Sequence, residues 1–287
     1  MTRTRMDLAL AAAFVTVSLW ASAFVGIRDA ARHISPGALS LGRLIVATAA
    51  LSAFALWRGE RLPPRSDWPR IAVVGLLWLG AYNVMLNGAE QRVDAGTAAM
   101  LVNIGPVFIA VMAGLLLGEG FPRNLFTGCA VALGGVVLIG VATSQHGIDS
   151  TTGALLCLGA AVAYALAVVI QKPLLEHNSG LVITAMAAAV ATVACIPFGP
   201  SLVHDLGDAP TSAAAWTVYL GLFPTAIGFT TWAYALKRST AGRTGAFTYL
   251  VPPLAVLLGW LILSEAPPAL ALTGGVLCLF GVALTRR

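Results

Sequence analysis

Ten apolar stretches, each about 20 residues long, recur along the chain between short polar breaks, and this pattern constrains the fold most. A helix of that length crosses the hydrocarbon core of a bilayer. Hydrocarbon cannot hydrogen-bond a backbone, and the runs lack the alternation of a membrane barrel, so we expect every stretch to be helical. The predicted spans are 8–27, 38–57, 71–89, 95–117, 124–142, 153–171, 180–198, 214–236, 242–263 and 269–285.

Composition supports a membrane environment for the whole chain. Of the 287 residues, 58% are hydrophobic and 10% are charged, whereas soluble domains carry about 25% charged residues. The spans use nearly the whole sequence, so we expect no separate soluble domain. The first apolar run lacks a small-residue cleavage site, and we expect it to be retained as a helix. The sequence predicts an all-α, multi-pass protein of a bacterial-type inner (plasma) membrane.

The distribution of basic residues predicts the orientation of these spans. Thirteen of the 17 Lys and Arg residues fall in the loops and termini of one side, and three, Arg28, Arg32 and Arg92, fall on the other. Cytoplasmic loops retain basic residues, so both termini are predicted to be cytoplasmic. We therefore attribute the net charge of +5 to the basic residues that set the membrane topology. The basic residues are scattered over loops, and we expect no nucleic-acid partner.

Across the third to fifth spans, the chain matches itself at an offset of 146 residues without gaps. Apolar matches mean little in such a sequence, but matched Arg, Glu, Pro and Gly residues indicate a true internal repeat. An odd number of spans per repeat forces the halves to run in opposite directions. The sequence therefore predicts two inverted five-helix repeats, 7–145 and 152–287, a feature typical of secondary transporters. The clearest pairs are Gly75/Gly221, Arg92/Arg238, Pro106/Pro252, Glu119/Glu265, Pro122/Pro268, Gly128/Gly274 and Gly135/Gly281.

Several motifs resemble the EamA-type family of the drug/metabolite transporter superfamily, and the resemblance covers essentially the full chain. The first span contains SLWASAF. The fourth span, Ala95 to Glu119, and the ninth, Ala241 to Glu265, both have a small-residue start, a proline within the span and a terminal Glu. The most similar members are the aromatic amino-acid exporters called YddG-type. The resemblance implies export of amino acids or other small metabolites.

The repeat and the resemblance together predict a secondary transporter that exports small metabolites, in particular neutral or aromatic amino acids. It would work by alternating access through a central cavity between the repeats. The alternatives are export of other metabolites or drugs, and a channel-like facilitator. An intramembrane enzyme would need clustered nucleophiles, paired acids or metal ligands within spans, and the sequence has none.

The expected partners are a small-molecule substrate and membrane lipid, with no cofactor. All four cysteines lie in separate apolar spans and all four histidines lie in predicted loops, so no metal site is expected. We expect a monomer. A homodimer through the glycine-rich faces of the fifth and tenth spans is the alternative.

Polar and aromatic side chains within spans are the candidates for the cavity wall, because in lipid they face water or another helix. Amide and hydroxyl groups can bind the two charges of a zwitterion, and aromatic faces can hold an apolar side chain. The alternative for any one of them is an interfacial belt or a contact between helices. The predicted substrate-binding residues are Trp20, Ser22, Tyr82, Asn83, Asn87, Met100, Asn103, Tyr164, Thr231, Trp232, Thr248 and Tyr249.

Three further predictions concern prolines and charges. Pro106 and Pro252 lie near the middle of equivalent spans, where a proline removes a backbone donor and bends the helix, so they are predicted hinges. Arg43 lies about two turns from the outer end of its span and within snorkelling reach; it is predicted to be a structural anchor, with a substrate-carboxylate partner or gate as the alternative. Glu119 ends its helix, and we expect a structural role.

Overall fold

The structure is a computed structural model that describes residues 3–92, 98, 101–143, 151–263 and 268–285. These residues form helices and turns and contain no β-strand. Seven of their helices are long and apolar enough to cross a membrane, and Gly105–Leu116 and Ala269–Thr285 are shorter apolar helices. The prediction of an all-α membrane protein is confirmed, whereas the count of ten spans stays a prediction.

The helices follow the predicted spans in order. In the first half they are α1 (Arg3–Ala30), α2 (Pro36–Trp57), α3 (Trp68–Val74), α4 (Asn83–Glu90), α5 (Gly105–Leu116) and α6 (Arg123–Thr143). In the second half they are α7 (Thr151–His177), α8 (Gly180–Cys195), α9 (Gly199–Asp208), α10 (Thr211–Leu220), α11 (Gly228–Arg238), α12 (Ala241–Ala246), α13 (Val251–Leu263) and α14 (Ala269–Thr285).

Two π-helical segments lie at equivalent places in the halves. The first π-segment (Gly75–Tyr82) joins α3 to α4, and the second (Gly221–Ile227) joins α10 to α11. Both begin at a glycine, and the two glycines are 146 residues apart. A Cβ atom at Gly75 would collide with the Ala187 carbonyl of α8, and one at Gly221 would stand 2.7 Å from the Arg43 carbonyl of α2. Each π-segment therefore packs closely against a helix of the other half.

The matched arginines have the same structural role in both halves. Arg92 Nη1 donates to the Gly88 carbonyl at 2.6 Å, and Arg238 Nη1 donates to the Tyr234 carbonyl at 3.0 Å. Each carbonyl lies four residues before its arginine, at the C-terminal end of a helix that has unpaired acceptors. The repeated arginine is thus explained by helix capping.

Helices α6 and α14 pack against each other through reciprocal glycine contacts. A Cβ atom at Gly128 would stand 2.6 Å from the Gly281 carbonyl, and one at Gly135 would stand 2.5 Å from the Gly274 carbonyl. Gly128 and Gly274 are equivalent in the repeat, as are Gly135 and Gly281. The order of the contacts makes the two helices antiparallel, as an inverted repeat requires.

The two predicted hinge prolines lie where a helix begins, not in the middle of a continuous helix. Residues 103–104 form a turn, after which α5 starts at Gly105 with Pro106 in its first turn. Pro252 is the second residue of α13 and follows a 3₁₀ segment, Phe247–Leu250. A proline is well tolerated in a first turn, where its missing N–H has no helical partner. Both spans are therefore interrupted beside their prolines, and the role of Pro106 and Pro252 as hinges stays a prediction.

One end of the bundle is held by hydrogen bonds between helix termini. The Glu119 carboxylate accepts from the backbone N–H groups of Ala241 (2.6 Å) and Gly242 (3.1 Å), which caps the start of α12. Lys172 Nζ donates to the carbonyls of Leu236 (2.7 Å) and Ser239 (2.6 Å) at the end of α11. Glu119 thus has the structural role expected for it, and its equivalent Glu265 lies outside the described residues.

The glycine contacts between α6 and α14 generate a stability prediction with an adjacent control. We expect Gly135→Ala to destabilise the protein by about 1–3 kcal/mol, because its new methyl group overlaps a backbone carbonyl. Gly134→Ala should be neutral, because no atom lies within 4 Å of a Cβ atom there. The measurement is thermal unfolding of each variant in detergent, and equal melting temperatures for the two would contradict the proposed contact.

Candidate functional site

A cavity of about 80 Å³ lies between the two halves of the bundle. On one side its wall comes from α1, α2, the first π-segment, α4 and residues 102–103 before α5. On the other side it comes from α7, α11, the 3₁₀ segment Phe247–Leu250 and α13. The lining residues are Trp20, Ala23, Phe24, Ile27, Arg43, Trp78, Tyr82, Asn83, Leu86, Val102, Asn103, Tyr164, Phe229, Thr248 and Val251.

Five aromatic rings, which we call the aromatic cluster, form the base of this cavity. Trp78 touches the other four, with ring centroids 6.0 Å from Trp20, 5.2 Å from Tyr164, 4.7 Å from Phe229 and 5.6 Å from Trp232. All of these distances lie in the range of favourable edge-to-face or offset contacts. Trp78 and Trp232 are almost fully buried. The cluster joins α1, the first π-segment and α11 to α7, and it forms an apolar base.

The second π-segment holds the Trp20 ring in place. The indole Nε1–H donates to the Pro224 carbonyl at 3.2 Å, within that segment. The ring lies over Gly228, where a Cβ atom would stand 3.0 Å from Nε1. One turn earlier on α1, Thr16 Oγ1 lies 2.8 Å from Thr231 Oγ1. These contacts fix α1 against α11 and set the position of one cavity wall.

Polar groups line the cavity together with the aromatic rings. Asn83 Nδ2 donates to the Leu79 carbonyl at 2.8 Å, near the end of the first π-segment, so the amide is held in one orientation. Across the cavity, Thr248 Oγ1 donates to the Gly245 carbonyl at 2.8 Å. Asn103, in the turn before α5, completes this set. The cavity therefore offers amide and hydroxyl groups beside aromatic faces.

Arg43 is the basic residue in the cavity wall, and its side chain does not snorkel. Only 4% of the residue is exposed. The guanidinium crosses from α2 to the second π-segment, where Nε and Nη2 donate to Thr225 Oγ1 at 3.1 and 2.9 Å. The snorkelling interpretation is therefore wrong, because a hydroxyl of the other half holds the guanidinium inside the protein. The contact anchors α2, and the same side chain faces the cavity.

Six of the twelve predicted substrate-binding residues line the cavity: Trp20, Tyr82, Asn83, Asn103, Tyr164 and Thr248. The structure brings them together from both halves. They come from the first, third and fourth spans in the first half and from the sixth and ninth spans in the second half. Whether they bind substrate stays a prediction.

The structure places five others outside the cavity lining. Ser22 Oγ lies 2.7 Å from the Tyr219 hydroxyl, and Asn87 Nδ2 donates to Ser40 Oγ at 3.0 Å. Thr231 bonds Thr16, as described above. Trp232 lies within the aromatic cluster beneath the lining, and Tyr249 is fully buried in a separate apolar cluster beside α6 and α14. The remaining residue, Met100, lies outside the described residues.

Tyr249 was expected to approach the centre because its repeat equivalent is Asn103. Instead, Thr248 and Val251 line the cavity on that side. Thr248 in the 3₁₀ segment and Val251 at the start of α13 are three residues apart and therefore share one face. The neighbouring Tyr249 lies on another face and is buried against α6 and α14.

Sequence reasoning missed the apolar part of the lining. On α1 a usable signal was present, because Trp20, Ala23, Phe24 and Ile27 follow the i, i+3, i+4, i+7 spacing of one helix face. Trp78 and Phe229 carried no such signal, since apolar residues in an apolar span do not reveal which face meets lipid. The remaining missed residues are Leu86, Val102 and Val251.

Within the described residues, no group of three or more His, Cys, Asp or Glu side chains is placed to hold a metal ion. The four cysteines are buried and unpaired. The chemistry that this cavity offers is therefore binding by hydrogen bonds, charge and aromatic contact.

A family model described as the EamA-like transporter family matches residues 7–141 and again residues 151–287. The chain belongs to the EamA-like transporter family. With its apolar helices, this EamA-like transporter is a multi-pass protein of the inner membrane, with a small-molecule substrate and a lipid environment.

Two curated relatives are similar over most of their length. A protein of Streptantibioticus cattleyicolor named "Probable terminal-alkyne amino-acid exporter" is 41% identical over 283 residues, which cover 99% of this chain and 95% of that protein. The "Uncharacterized transporter YdfC" of Bacillus subtilis is 34% identical over 269 residues, which cover 94% and 88%.

A solved structure described only as a crystal structure of a protein has the same fold. Its TM-score is 0.78 at 22% sequence identity, and the match covers 96% of this EamA-like transporter and 95% of the solved chain. At that identity the likeness concerns the fold alone.

The central place of Trp78 in the aromatic cluster generates a second stability prediction. We expect Trp78→Ala to destabilise the transporter by about 3–5 kcal/mol, because a large buried ring with four aromatic neighbours is lost. The matched control is Trp57→Ala, since Trp57 is 80% exposed at the end of α2. Thermal unfolding in detergent measures both. A melting temperature for Trp78→Ala as high as that of Trp57→Ala would show that the cluster does not stabilise the fold.

Proposed function

We propose that this transporter exports small neutral amino acids with short apolar side chains, and that the cavity between its halves is the substrate site. One observation carries the proposal: amide, hydroxyl and guanidinium groups surround a small cavity whose base is aromatic. The similarity to a relative named as an amino-acid exporter supports the substrate class.

The polar wall suits the shared part of a neutral amino acid. A zwitterion carries one carboxylate and one ammonium group, and burying either requires hydrogen-bond partners. Asn83 and Asn103 are amides, which contain both donor and acceptor atoms, and Thr248 and Tyr164 have hydroxyl groups. These groups come from both halves of the chain, so a bound substrate would contact both.

The size of the cavity favours a short side chain. Its volume of about 80 Å³ is well below the roughly 300–1,000 Å³ of sites for drug-sized ligands. The rings of Trp20, Trp78 and Phe229 limit it from below. A large aromatic substrate would have to displace these rings, so we propose short aliphatic or alkynyl amino acids as better substrates than tryptophan.

We also propose that transport occurs by alternating access. The two interrupted spans, at Asn103–Pro106 and at Phe247–Pro252, are equivalent in the repeat and flank the cavity. Where a helix is already interrupted, its two parts can rotate while fewer backbone hydrogen bonds break than in a continuous helix. These junctions are therefore suitable hinges. The capping contacts of Glu119 and Lys172 would hold one end closed while the other end opens.

The same proposal includes the arrangement in the membrane. We propose ten spans in two inverted repeats, residues 7–145 and 152–287, with both termini in the cytoplasm and the protein acting as a monomer. The excess of basic residues on one side supports the orientation. The antiparallel contact of α6 and α14 supports the inversion.

Counterflow into liposomes that contain the purified protein tests the proposed function. The panel would hold norvaline, 2-amino-4-pentynoic acid, leucine, tryptophan, lysine and glutamate, each with and without an imposed pH gradient. We expect saturable counterflow of the short apolar amino acids and weaker flux of tryptophan. No flux of any amino acid would refute the substrate class, and flux without counterflow would indicate a channel.

Phe229 gives a second test of the size argument, because its ring lies both in the cavity wall and in the aromatic cluster. Phe229→Ala should enlarge the cavity and raise the flux of tryptophan relative to norvaline, by about 10-fold if one apolar contact decides the preference. The control is Phe223→Ala, a ring of the second π-segment that is 42% exposed. An unchanged ratio in Phe229→Ala would mean that this ring does not limit substrate size.

A further inference from the structure

The guanidinium of Arg43 is a buried cation whose hydrogen bonds go to a neutral group. An arginine side chain remains charged at any physiological pH. Among the described residues, no carboxylate oxygen lies within 4.0 Å of it, and its hydrogen bonds reach only Thr225 Oγ1. Glu90 and Tyr82 are close enough to interact with it electrostatically. A cation in this position favours an anion that enters the cavity.

The two bonds to Thr225 occupy only one edge of the guanidinium. Nε and Nη2 share the threonine oxygen, so the side edge of the planar group is occupied. The end edge, formed by Nη1 and Nη2, has the fork geometry that binds a carboxylate through two parallel hydrogen bonds. Arg43 lines the cavity, where the substrate carboxylate would lie.

We propose that Arg43 binds the carboxylate of the substrate and that Thr225 is a positioning residue that aims the guanidinium. This inference rests on the proposed function, because it names the group that recognises the acid end of the amino acid. It assigns a role to Thr225, which does not itself line the cavity.

The hydrogen bonds of Thr225 fix which way its oxygen acts. A threonine hydroxyl has one proton to donate. Thr225 Oγ1 donates that proton to the Leu220 carbonyl at 2.7 Å, five residues earlier, at the last residue of α10. Its oxygen is then an acceptor toward Arg43. The close approach of α2 at Gly221 brings the arginine within reach of this acceptor.

The contact is present in one half only, which separates it from the repeated framework. Both halves have a π-segment that begins at a glycine, but the equivalent of Thr225, 146 residues earlier, is Leu79. The fold therefore forms the same π-segment without the hydroxyl. The threonine adds a polar contact that the architecture itself does not need.

The test measures how well each variant distinguishes a substrate that has a carboxylate from an analogue that lacks it. Purified wild type, Thr225→Val, Thr225→Ser and Arg43→Lys are placed in liposomes, and norvaline counterflow is measured with norvaline or norvalinamide as competitor. The amide lacks the carboxylate but keeps the side chain. Thr48→Val is the matched control. Thr48 lies on α2, as Arg43 does, and its hydroxyl is 2.8 Å from the Thr192 hydroxyl of α8. Neither threonine lines the cavity.

We expect the wild type to prefer norvaline over norvalinamide by about 10-fold or more, the size of a charge-assisted hydrogen-bond pair. Thr225→Val should raise KM for norvaline by roughly 5-fold to 10-fold with little change in the maximal rate, and should reduce that preference. Thr225→Ser should restore both, since it keeps the hydroxyl. Arg43→Lys should lose most of the preference because an ammonium group cannot form the fork.

Three results would overturn the inference, and they are distinguishable. In the first, the wild type transports norvaline but Thr225→Val and Arg43→Lys keep the wild-type preference. The contact between Arg43 and Thr225 would then be purely structural, and the variants would differ from the wild type only in a lower melting temperature. If the wild type transports no amino acid, the proposed function fails and the inference fails with it. Thr48→Val should match the wild type in KM and preference; a loss of preference there would refute the specific role of Thr225.

Discussion

A backbone carbonyl that a break in a membrane helix leaves unpaired must find another donor, because hydrocarbon supplies none. Much of the polar structure of this protein follows from that requirement. Asn83 donates to a carbonyl of the first π-segment, Trp20 to one of the second, Thr225 to the last carbonyl of α10, and Lys172 to the end of α11. Each π-segment packs closely against a helix of the other half, and Asn83 and Trp20, two of the residues that bond their carbonyls, also line the cavity.

The cavity arises where the symmetry of the two halves stops. The framework repeats: the π-segments, the capping arginines and the glycine contacts between α6 and α14 all occur in equivalent pairs. The groups at the cavity do not. Tyr82 corresponds to Gly228, Leu79 to Thr225 and Asn103 to Tyr249. Duplication produced two similar halves that enclose the cavity. Because the side chains contributed by the two halves differ, the cavity is chemically asymmetric, as is the amino-acid substrate that we propose.

Part of the site could be predicted from the sequence, because a polar or aromatic side chain in an apolar span contrasts with its surroundings. That contrast identified Trp20, Asn83 and Thr248. It also selected Ser22 and Thr231, whose hydroxyls join α1 to neighbouring helices, since a helix contact and a cavity produce the same pattern. Trp78 and Phe229 were missed because no contrast distinguishes a core aromatic from one that faces lipid.

The sequence by itself determined the helical class and the duplication, because hydropathy and a gapless self-match depend only on residue order. It also located the interruptions through their prolines, although not their form. The tertiary structure decided which face of each span meets the cavity, since a π-turn or a 3₁₀ turn rotates every following side chain by an amount that residue spacing does not reveal. Arg43 is the clearest case: its position in a span suggested a path to the membrane surface, and only the fold places Thr225 of the opposite half within reach.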